Sequence, residues 1–267
     1  MLRQRIITGV ILVAVLLAAV LLLGNVAFTW VALAVFTIGA WEWSRLAGIG
    51  QAAMRLAFAG VFAGLGVFVA LRAGPEARML LVGIGAAWWV VVLGLLAVYH
   101  RGVGQRPGWH SLLTVAAFVT LLPAWLAVAG LHAVGWQWIL FLVGIVAVAD
   151  TGAYFSGRAF GKHKLAPELS PGKTREGVLG GLVGVALWAL FGAWWLNLEP
   201  GIWVYFIGLC LVVALISVAG DLFESLIKRE AGAKDSGRIL PGHGGILDRI
   251  DSLTAAAPVF TIGLHWI

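Results

Sequence analysis

Residues 225–251 concentrate side chains that could do chemistry in a chain that is otherwise apolar. The segment reads SLIKREAGAKDSGRILPGHGGILDRID and contains nine charged residues, one histidine and five glycines. The whole chain of 267 residues is 61% hydrophobic and only 11% charged. Charged groups beside apolar segments are costly to bury unless they pair or bind a ligand. We therefore expect a functional site in this segment.

Two sets of polar residues at helical spacing, each with two acids, lie at the two ends of this segment. The first set begins just before residue 225. One set lies at i, i+3, i+4 and i+7 and the other at i, i+3 and i+4, so each set shares one helix face. A loop of about twenty residues joins the two faces and allows them to converge. Converging carboxylates repel, and a hard divalent cation with oxygen ligands, Mg²⁺ rather than zinc, would relieve that repulsion. The sets are Asp221, Glu224, Ser225 and Lys228, and then Asp248, Asp251 and Ser252.

Two simpler interpretations of these acids stay open. Arg229, Lys234 and Arg249 would neutralise them by ordinary ion pairing at the membrane boundary. Asp248 would also serve as a helix cap, because aspartate is favoured at helix N-termini.

Groups suited to phosphate occur in two places. The glycine-rich residues 241–245 would bring backbone N–H groups close to an anion, next to the N-terminus of a helix. A second polar island, residues 149–177, contains GKT but is not a Walker A loop, because Pro167 stands where that motif needs glycine. It still brings together hydrogen-bond donors suited to a nucleotide's phosphates, namely Ser170, Lys173, Thr174 and Arg175.

Asp150 opens the second island from within an apolar run. It lies about 14 residues into that run, or about 21 Å along a helix. Ionisable residues at membrane depth are functional by default, with pairing to a neighbouring helix as the alternative.

The elements that must position these residues are membrane helices. The mean hydropathy is +1.00, and apolar runs recur along the whole length, which is typical of an all-α polytopic membrane protein. We predict one domain, 1–267, and a retained first helix rather than a signal peptide. The single cysteine, Cys210, excludes a disulfide framework. The nine predicted spans are 6–23, 26–43, 53–71, 79–99, 111–131, 136–155, 177–196, 202–227 and 247–265.

The distribution of charge predicts the orientation of the chain in the membrane and which part of the chain is catalytic. Nine spans place 16 of the 18 Lys and Arg residues on one side, which predicts a cytoplasmic N-terminus. Acids concentrate after residue 149, so residues 136–267 are predicted to be catalytic and residues 1–135, with Glu42, mainly scaffold. Small-residue pairs at Gly60 and Gly64 and at Gly180 and Gly184 predict close helix packing. We expect no nucleic-acid partner.

Acids for a metal and cations for phosphates, both at a membrane surface, indicate phosphoryl or nucleotidyl transfer to a lipid. Such transfer needs no protein nucleophile. An ion or proton transporter that uses Asp150, Asp221 and Asp248 as a relay is the alternative from another class. That alternative is disfavoured because most acids lie at one face among basic residues.

The segment resembles the signature of the phosphatidate cytidylyltransferase (CDP-diacylglycerol synthase) family, bacterial type. The signature has the form S-x-x-K-R-x4-K-D, then H-G-G, then D-R-x-D, and every position is filled here. ADTGAY and SPGKTREG also resemble earlier blocks of the family, although Arg175 stands where the family has tryptophan. The matching residues are Ser225, Lys228, Arg229, Lys234, Asp235, His243, Gly244, Gly245, Asp248, Arg249 and Asp251.

The resemblance implies a reaction and a setting. CTP and phosphatidate would give CDP-diacylglycerol and pyrophosphate, with Mg²⁺ required and a second cation as a possible addition. It implies a homodimer in the bacterial cytoplasmic membrane, with the active site facing the cytoplasm. A CTP-dependent polyprenol kinase, or a cytidylyltransferase for another anionic lipid, is the alternative within the same chemistry.

The resemblance also implies roles for individual residues. Asp221 and Asp248 would be metal ligands as well as catalytic residues. Further catalytic positions would be Lys228, Arg229, His243 and Asp251. The substrate-binding positions would be Asp150, Ser170, Lys173, Thr174, Ser225, Lys234, Asp235, Gly244 and Gly245.

Overall fold

A computed structural model describes residues 2–99 and 106–267 as a bundle of long helices, which confirms the all-α fold class. Each long helix coincides with one of the predicted apolar runs. Within the described residues the helices are α1 (Leu2–Leu22), α2 (Asn25–Leu46), α3 (Ala52–Arg72), α4 (Pro75–Ala97), α5 (Trp109–Val134), α6 (Trp136–Phe160), α7 (Arg175–Trp195), α8 (Trp203–Glu230) and α9 (Leu247–Leu264).

Seven helices in the described part, α2 to α8, are long and apolar enough to cross a membrane, so the predicted count of nine spans was too high. The apolar part of α1, Ile6–Leu22, is shorter than the rest. α9 is interrupted by Asp248, Arg249 and Asp251 near its start. These charges belong to the polar segment, so the same residues that indicate the site also lower the hydropathy of α9.

α9 nevertheless runs antiparallel along the length of α8. The backbone of Asp251 lies against Gly220 in the last third of α8. At the other end, the Tyr205 hydroxyl donates a hydrogen bond of 3.0 Å to the carbonyl of Gly263. α9 therefore presents its acidic first turns to the acidic end of α8.

The core surrounds α5, which contacts α2, α4, α6 and α9. Trp43 and Trp125 are fully buried in it. The indole N–H of Trp43 donates to the carbonyl of Leu113 at 2.9 Å, and that of Trp125 donates to the carbonyl of Thr29 at 3.0 Å. These two tryptophans thus contribute apolar area and satisfy their one polar atom between helices.

α6 and α7 form the closest helix pair, and glycine makes the approach possible. A Cβ at Gly180 would collide with Ser156, and one at Gly184 would lie 3.0 Å from Val148. The packing role predicted for this glycine pair is confirmed. The same prediction for Gly60 and Gly64 was wrong within the described chain, where a Cβ at either position would meet no atom within 4 Å.

A small antiparallel hairpin connects α6 to α7, where only a polar loop was predicted. Its strands are β1 (Lys164–Ala166) and β2 (Ser170–Thr174), with Lys164 opposite Thr174. Leu169 in the turn is 3% exposed and anchors the hairpin to the helices. The hairpin matters for function because it fixes the position of Lys173.

Candidate functional site

The C-terminal end of α8 presents its polar residues on one face, in accordance with their spacing. Ser225 Oγ donates to Asp221 Oδ1 at 3.4 Å. One turn on, Lys228 Nζ donates to Glu224 Oε2 at 2.9 Å. Glu224 is 3% exposed and Lys228 is 14% exposed at the side chain, so this second pair is buried.

Lys228 joins the two acidic helix faces, which do converge. Its ammonium lies 2.7 Å from Asp248 Oδ1 on α9 and 2.9 Å from Glu224 on α8. The side chain of Asp248 is only 6% exposed. One ammonium between two carboxylates offsets part of the cost of burying them.

Asp248 is the most heavily hydrogen-bonded of the predicted site residues. Besides Lys228, its carboxylate accepts from Ser236 N at 3.0 Å, Ser236 Oγ at 2.9 Å and Gly245 N at 2.7 Å. Asp248 lies in the first turn of α9, outside the seven apolar helices. Burial alone would raise the pKa of Asp248, but the ammonium of Lys228 and the N–H of Gly245 hold that pKa below its usual range.

These contacts change the capping interpretation of Asp248. The N-cap position of α9 is Ile246, which makes no side-chain cap hydrogen bond. The carboxylate of Asp248 instead binds the loop that precedes the helix. Asp248 therefore organises residues 236–245 rather than closing the helix end.

Lys173 and Asp221 form a second, more open ion pair. Lys173 Nζ lies 2.6 Å from Asp221 Oδ2, and the two side chains are 23% and 30% exposed. The pair connects the hairpin to α8. Asp150 on α6 interacts electrostatically with both residues, and Asp251 on α9 interacts with Asp221. Asp221 on α8 thus has a carboxylate from each of two other helices, α6 and α9, in its vicinity.

The glycine loop has a turn geometry that only glycine adopts readily. Gly242 and Gly244 have φ values of 76° and 83°. The N–H of His243 bonds to the carbonyl of Leu240 at 2.9 Å, and the N–H of Gly245 is used by Asp248. These two amides are therefore occupied within the protein. The His243 ring lies beside Gly9 of α1, and its Nδ1 is buried without a hydrogen-bond partner.

Two further predicted residues support the hairpin. Thr174 is buried, and its hydroxyl accepts from Gly177 N at 3.1 Å as the N-cap of α7. Arg229 is exposed, and its Nε donates to the carbonyl of Leu169 at 3.4 Å. Ser170, the first residue of β2, is half-buried.

A cleft of about 560 Å³ opens along the glycine loop. Lys234, Arg238 and Arg249 supply its positive charge, and the rest of the lining is Asp235, Gly237, Leu240 and residues 241–244. Lys234 and Asp235 are exposed there. Three cations around a cleft of this size suit a polyphosphate or a phospholipid headgroup.

Sequence reasoning missed Glu42 and Arg45 on α2, which were assigned to the scaffold. Glu42 is 2% exposed and its Oε2 accepts from Leu247 N at 2.8 Å. Arg45 Nη2 donates to the carbonyls of Asp235 and Ser236 at 2.8 and 2.7 Å. The sequence did contain a signal, since an acid within an apolar span is rare and usually functional.

The oxygen donors of the site fit a hard divalent cation in type. Asp150, Asp221 and Asp251 are carboxylates on three different helices, and Glu224 Oε1 nearby is buried without a hydrogen-bond partner. Among the described residues, no group of three or more acids, histidines or cysteines is arranged as a closed metal site. In the described structure the ammonium of Lys173 lies on Asp221, where the sequence predicts magnesium. That magnesium site stays a prediction.

The similarity to known proteins extends over the whole chain. The model of the cytidylyltransferase family matches residues 3–267. A phosphatidate cytidylyltransferase of Pseudomonas aeruginosa is 43% identical over 273 residues, covering 100% of this chain and 97% of that protein. One from Haemophilus influenzae is 38% identical, covering 98% of each chain. One from Brucella suis is 37% identical, covering 96% of this chain and 90% of that protein.

Proposed function

This chain belongs to the cytidylyltransferase family, and from that premise we propose that it transfers CMP from CTP to phosphatidate. The products would be CDP-diacylglycerol and pyrophosphate. The family match over the full length and the names of the relatives support this reaction. The observation that carries it is the meeting of Lys173 and Lys228 with carboxylates of three helices at one end of an apolar bundle.

The reaction brings two anions together, and the site supplies the charges that this requires. An oxygen of the lipid phosphate attacks the α-phosphorus of CTP; a new P–O bond forms, and the bond to the β-phosphate breaks to release pyrophosphate. The attacking oxygen is already ionised, so no protein base has to remove a proton. Lys173, at the open part of the site, would neutralise phosphate charge and hold the reactants in line.

Lys228 would act from a more fixed position. Because it is held between Glu224 and Asp248, its ammonium cannot move without leaving buried acids unpaired. Such preorganised charge stabilises a transition state without reorganisation during the reaction. The basic cleft of Lys234, Arg238 and Arg249 lies next to it and would bind the rest of one substrate.

We include Mg²⁺ in the proposal because the site contains several carboxylates that could bind it. Asp221 would be a first ligand, Asp150 and Asp251 are placed to complete the set, and Asp248 would contribute only after its bond to Lys228 loosens. A bound divalent cation would supply charge neutralisation between the two phosphates. When the cation binds Asp221, Lys173 would be free to turn toward the substrate.

The membrane and the orientation of the protein are inferred from the distribution of its basic residues and from the bacterial origin of its relatives. Because basic residues gather at the end that contains the site, we place that end in the cytoplasm of a bacterial inner membrane. The homodimer is carried over from the family resemblance. Reporter fusions near Gly104, which lies outside the described residues, and after Ile267 test the orientation. Four of the seven apolar helices, α5 to α8, separate the two positions, so both reporters should lie on the same side if only these helices cross. Reporters on opposite sides would show that α9 crosses as well.

The decisive experiment is incubation of the purified protein with Mg²⁺, phosphatidate and CTP labelled at the α-phosphate. The proposal requires label in the lipid and release of pyrophosphate. Transfer of a γ-label to a lipid with release of CDP would instead identify a kinase. No lipid product from any of several anionic lipids, together with ion flux in vesicles, would identify a transporter.

A further inference from the structure

Glu42 lies in the half of the chain that sequence reasoning treated as scaffold, yet it touches the site's central loop. One carboxylate oxygen accepts from Leu247 N at 2.8 Å and from Ser236 Oγ at 3.3 Å. Leu247 is the first residue of α9, and Ser236 is 1% exposed. Glu42 therefore contacts the loop that joins α8 to α9 at Ser236 and also at the first residue of α9.

The loop is shaped around this carboxylate. A Cβ added at Gly237 or Gly245 would collide with the carboxylate of Glu42. Arg45, one turn further along α2, holds the carbonyls of Asp235 and Ser236. The loop therefore docks on α2. Its glycines leave room for the carboxylate of Glu42, and Arg45 binds its carbonyls.

Glu42 is connected to Asp248 through a shared hydroxyl. Ser236 Oγ is 2.9 Å from Asp248 Oδ2 and 3.3 Å from Glu42 Oε2, and its one proton serves only one of them at a time. The second oxygen of Glu42 is buried without a hydrogen-bond partner. Ser236 therefore couples the position of the Glu42 carboxylate to that of Asp248.

We infer that Glu42 is a positioning residue, which acts through Ser236 and the backbone of Leu247 to set the orientation of Asp248. The part of this inference that concerns turnover rests on the proposed cytidylyl transfer. The part that concerns the loop does not depend on the reaction. Outer partners of this kind change activity or metal affinity by about 10–100-fold when they are removed.

The test uses the full-length protein in lipid nanodiscs with three variants. Glu42→Ala removes both contacts, and Glu42→Gln keeps a carbonyl oxygen that accepts from Leu247 N. Glu76→Ala is the matched control, because Glu76 is the other acid of the N-terminal half and is exposed at the start of α4. Hydrogen exchange of residues 235–248, Mn²⁺ affinity by electron paramagnetic resonance, and kcat and KM for CTP are measured for each.

We expect Glu42→Ala to lower kcat by about 10–100-fold, to weaken Mn²⁺ binding and to speed exchange in the loop, with a smaller change in KM. Glu42→Gln should recover most of kcat and of the protection from exchange. Glu76→Ala should match the wild type in every measurement.

Three results would overturn the inference. The first is a Glu42→Ala protein with unchanged kcat and unchanged loop exchange. The second is a lowered melting temperature alone, since a residue with only a structural role would lower stability without changing kcat or Mn²⁺ affinity per folded molecule. The third is a Glu42→Gln protein with a protected loop but turnover far below the wild type. If Glu42→Ala does not fold, the same measurements on Glu42→Gln and Ser236→Ala test the inference in its place.

Failure of the proposed reaction is separable from failure of this inference. A wild-type protein that makes no CDP-diacylglycerol would overturn the reaction. Loop exchange and Mn²⁺ affinity in the variants would still be measurable in that case. They would still show whether Glu42 orders the loop that carries Asp248.

Discussion

The site contains two lysine–aspartate pairs that differ in burial and in what surrounds them. Lys173 and Asp221 are 23% and 30% exposed, and the described structure gives Asp221 one further hydrogen bond, a long one of 3.4 Å from Ser225. Lys228 and Asp248 are 14% and 6% exposed and belong to a network with Glu224 and the glycine loop. The open pair can exchange partners at little cost, whereas exchange in the closed pair is costly because it leaves a buried acid unpaired. The closed pair therefore braces α8 against α9, and under the proposed function the open pair is the one that exchanges partners when a substrate binds.

The largest effect is expected from Asp248→Asn, which breaks the closed pair. The amide NH₂ cannot accept a hydrogen bond, so one of the four donors around this position loses its partner and Lys228 loses a counter-charge. We expect a loss of about 3–5 kcal/mol of stability and at least a hundredfold loss of turnover per folded molecule. Thermal melting and turnover of the purified protein, with and without Mg²⁺, measure both.

The opposite outcome for Asp248→Asn is equally informative. Near wild-type turnover, with melting still raised by Mg²⁺, would remove Asp248 from the metal assignment. It would also mean that the network around Asp248 tolerates a neutral residue.

Asp221→Asn tests the open pair with the same chemical change. Because Asp221 is partly exposed, the fold should be retained, with melting close to that of the wild type. If Asp221 is a metal ligand, turnover should fall by about a hundredfold and the Mg²⁺-induced rise in melting temperature should disappear. Glu168→Gln, at an exposed acid in the hairpin turn, is the control. A stability loss as large as that of Asp248→Asn would erase the distinction between the two pairs.

Lys173→Ala separates substrate binding from ion pairing. One charge-assisted contact to phosphate is worth about 1.5–3 kcal/mol, so the KM for CTP should rise by about tenfold or more. Lys162→Ala, at an exposed lysine just before the hairpin, should leave that KM unchanged. Unchanged CTP kinetics in Lys173→Ala would reduce its contact with Asp221 to an ordinary surface ion pair.

The smallest effect is expected from Ser225→Ala. Its hydroxyl lies 3.4 Å from Asp221, at the far limit of a hydrogen bond. We expect turnover and the KM for CTP to change by less than about fivefold, which corresponds to about 1 kcal/mol. A tenfold rise in the KM for either substrate would mean that Ser225 contacts that substrate directly, as the family resemblance implies.

Much of the fold could be predicted because long apolar runs restrict a chain to helices in a membrane. The polar face of α8 was equally legible, since the i, i+4 spacing of Asp221 and Ser225 and of Glu224 and Lys228 determines which side chains meet on one helix. The prediction was wrong where packing depends on another helix. Gly60 and Gly64 have the same spacing as Gly180 and Gly184, but no helix approaches them within the described chain.

The sequence by itself determined the helices, the location of the polar segment and the family of the chain. Those properties are local, because hydropathy, helical spacing and a motif are all read along neighbouring residues. Only the tertiary structure decided that Lys173 meets Asp221, that Lys228 joins α8 to α9, and that Glu42 of α2 holds a loop some 200 positions away. Such contacts depend on how helices pack and on where a short hairpin places one lysine. No pattern within a single helix specifies either of these.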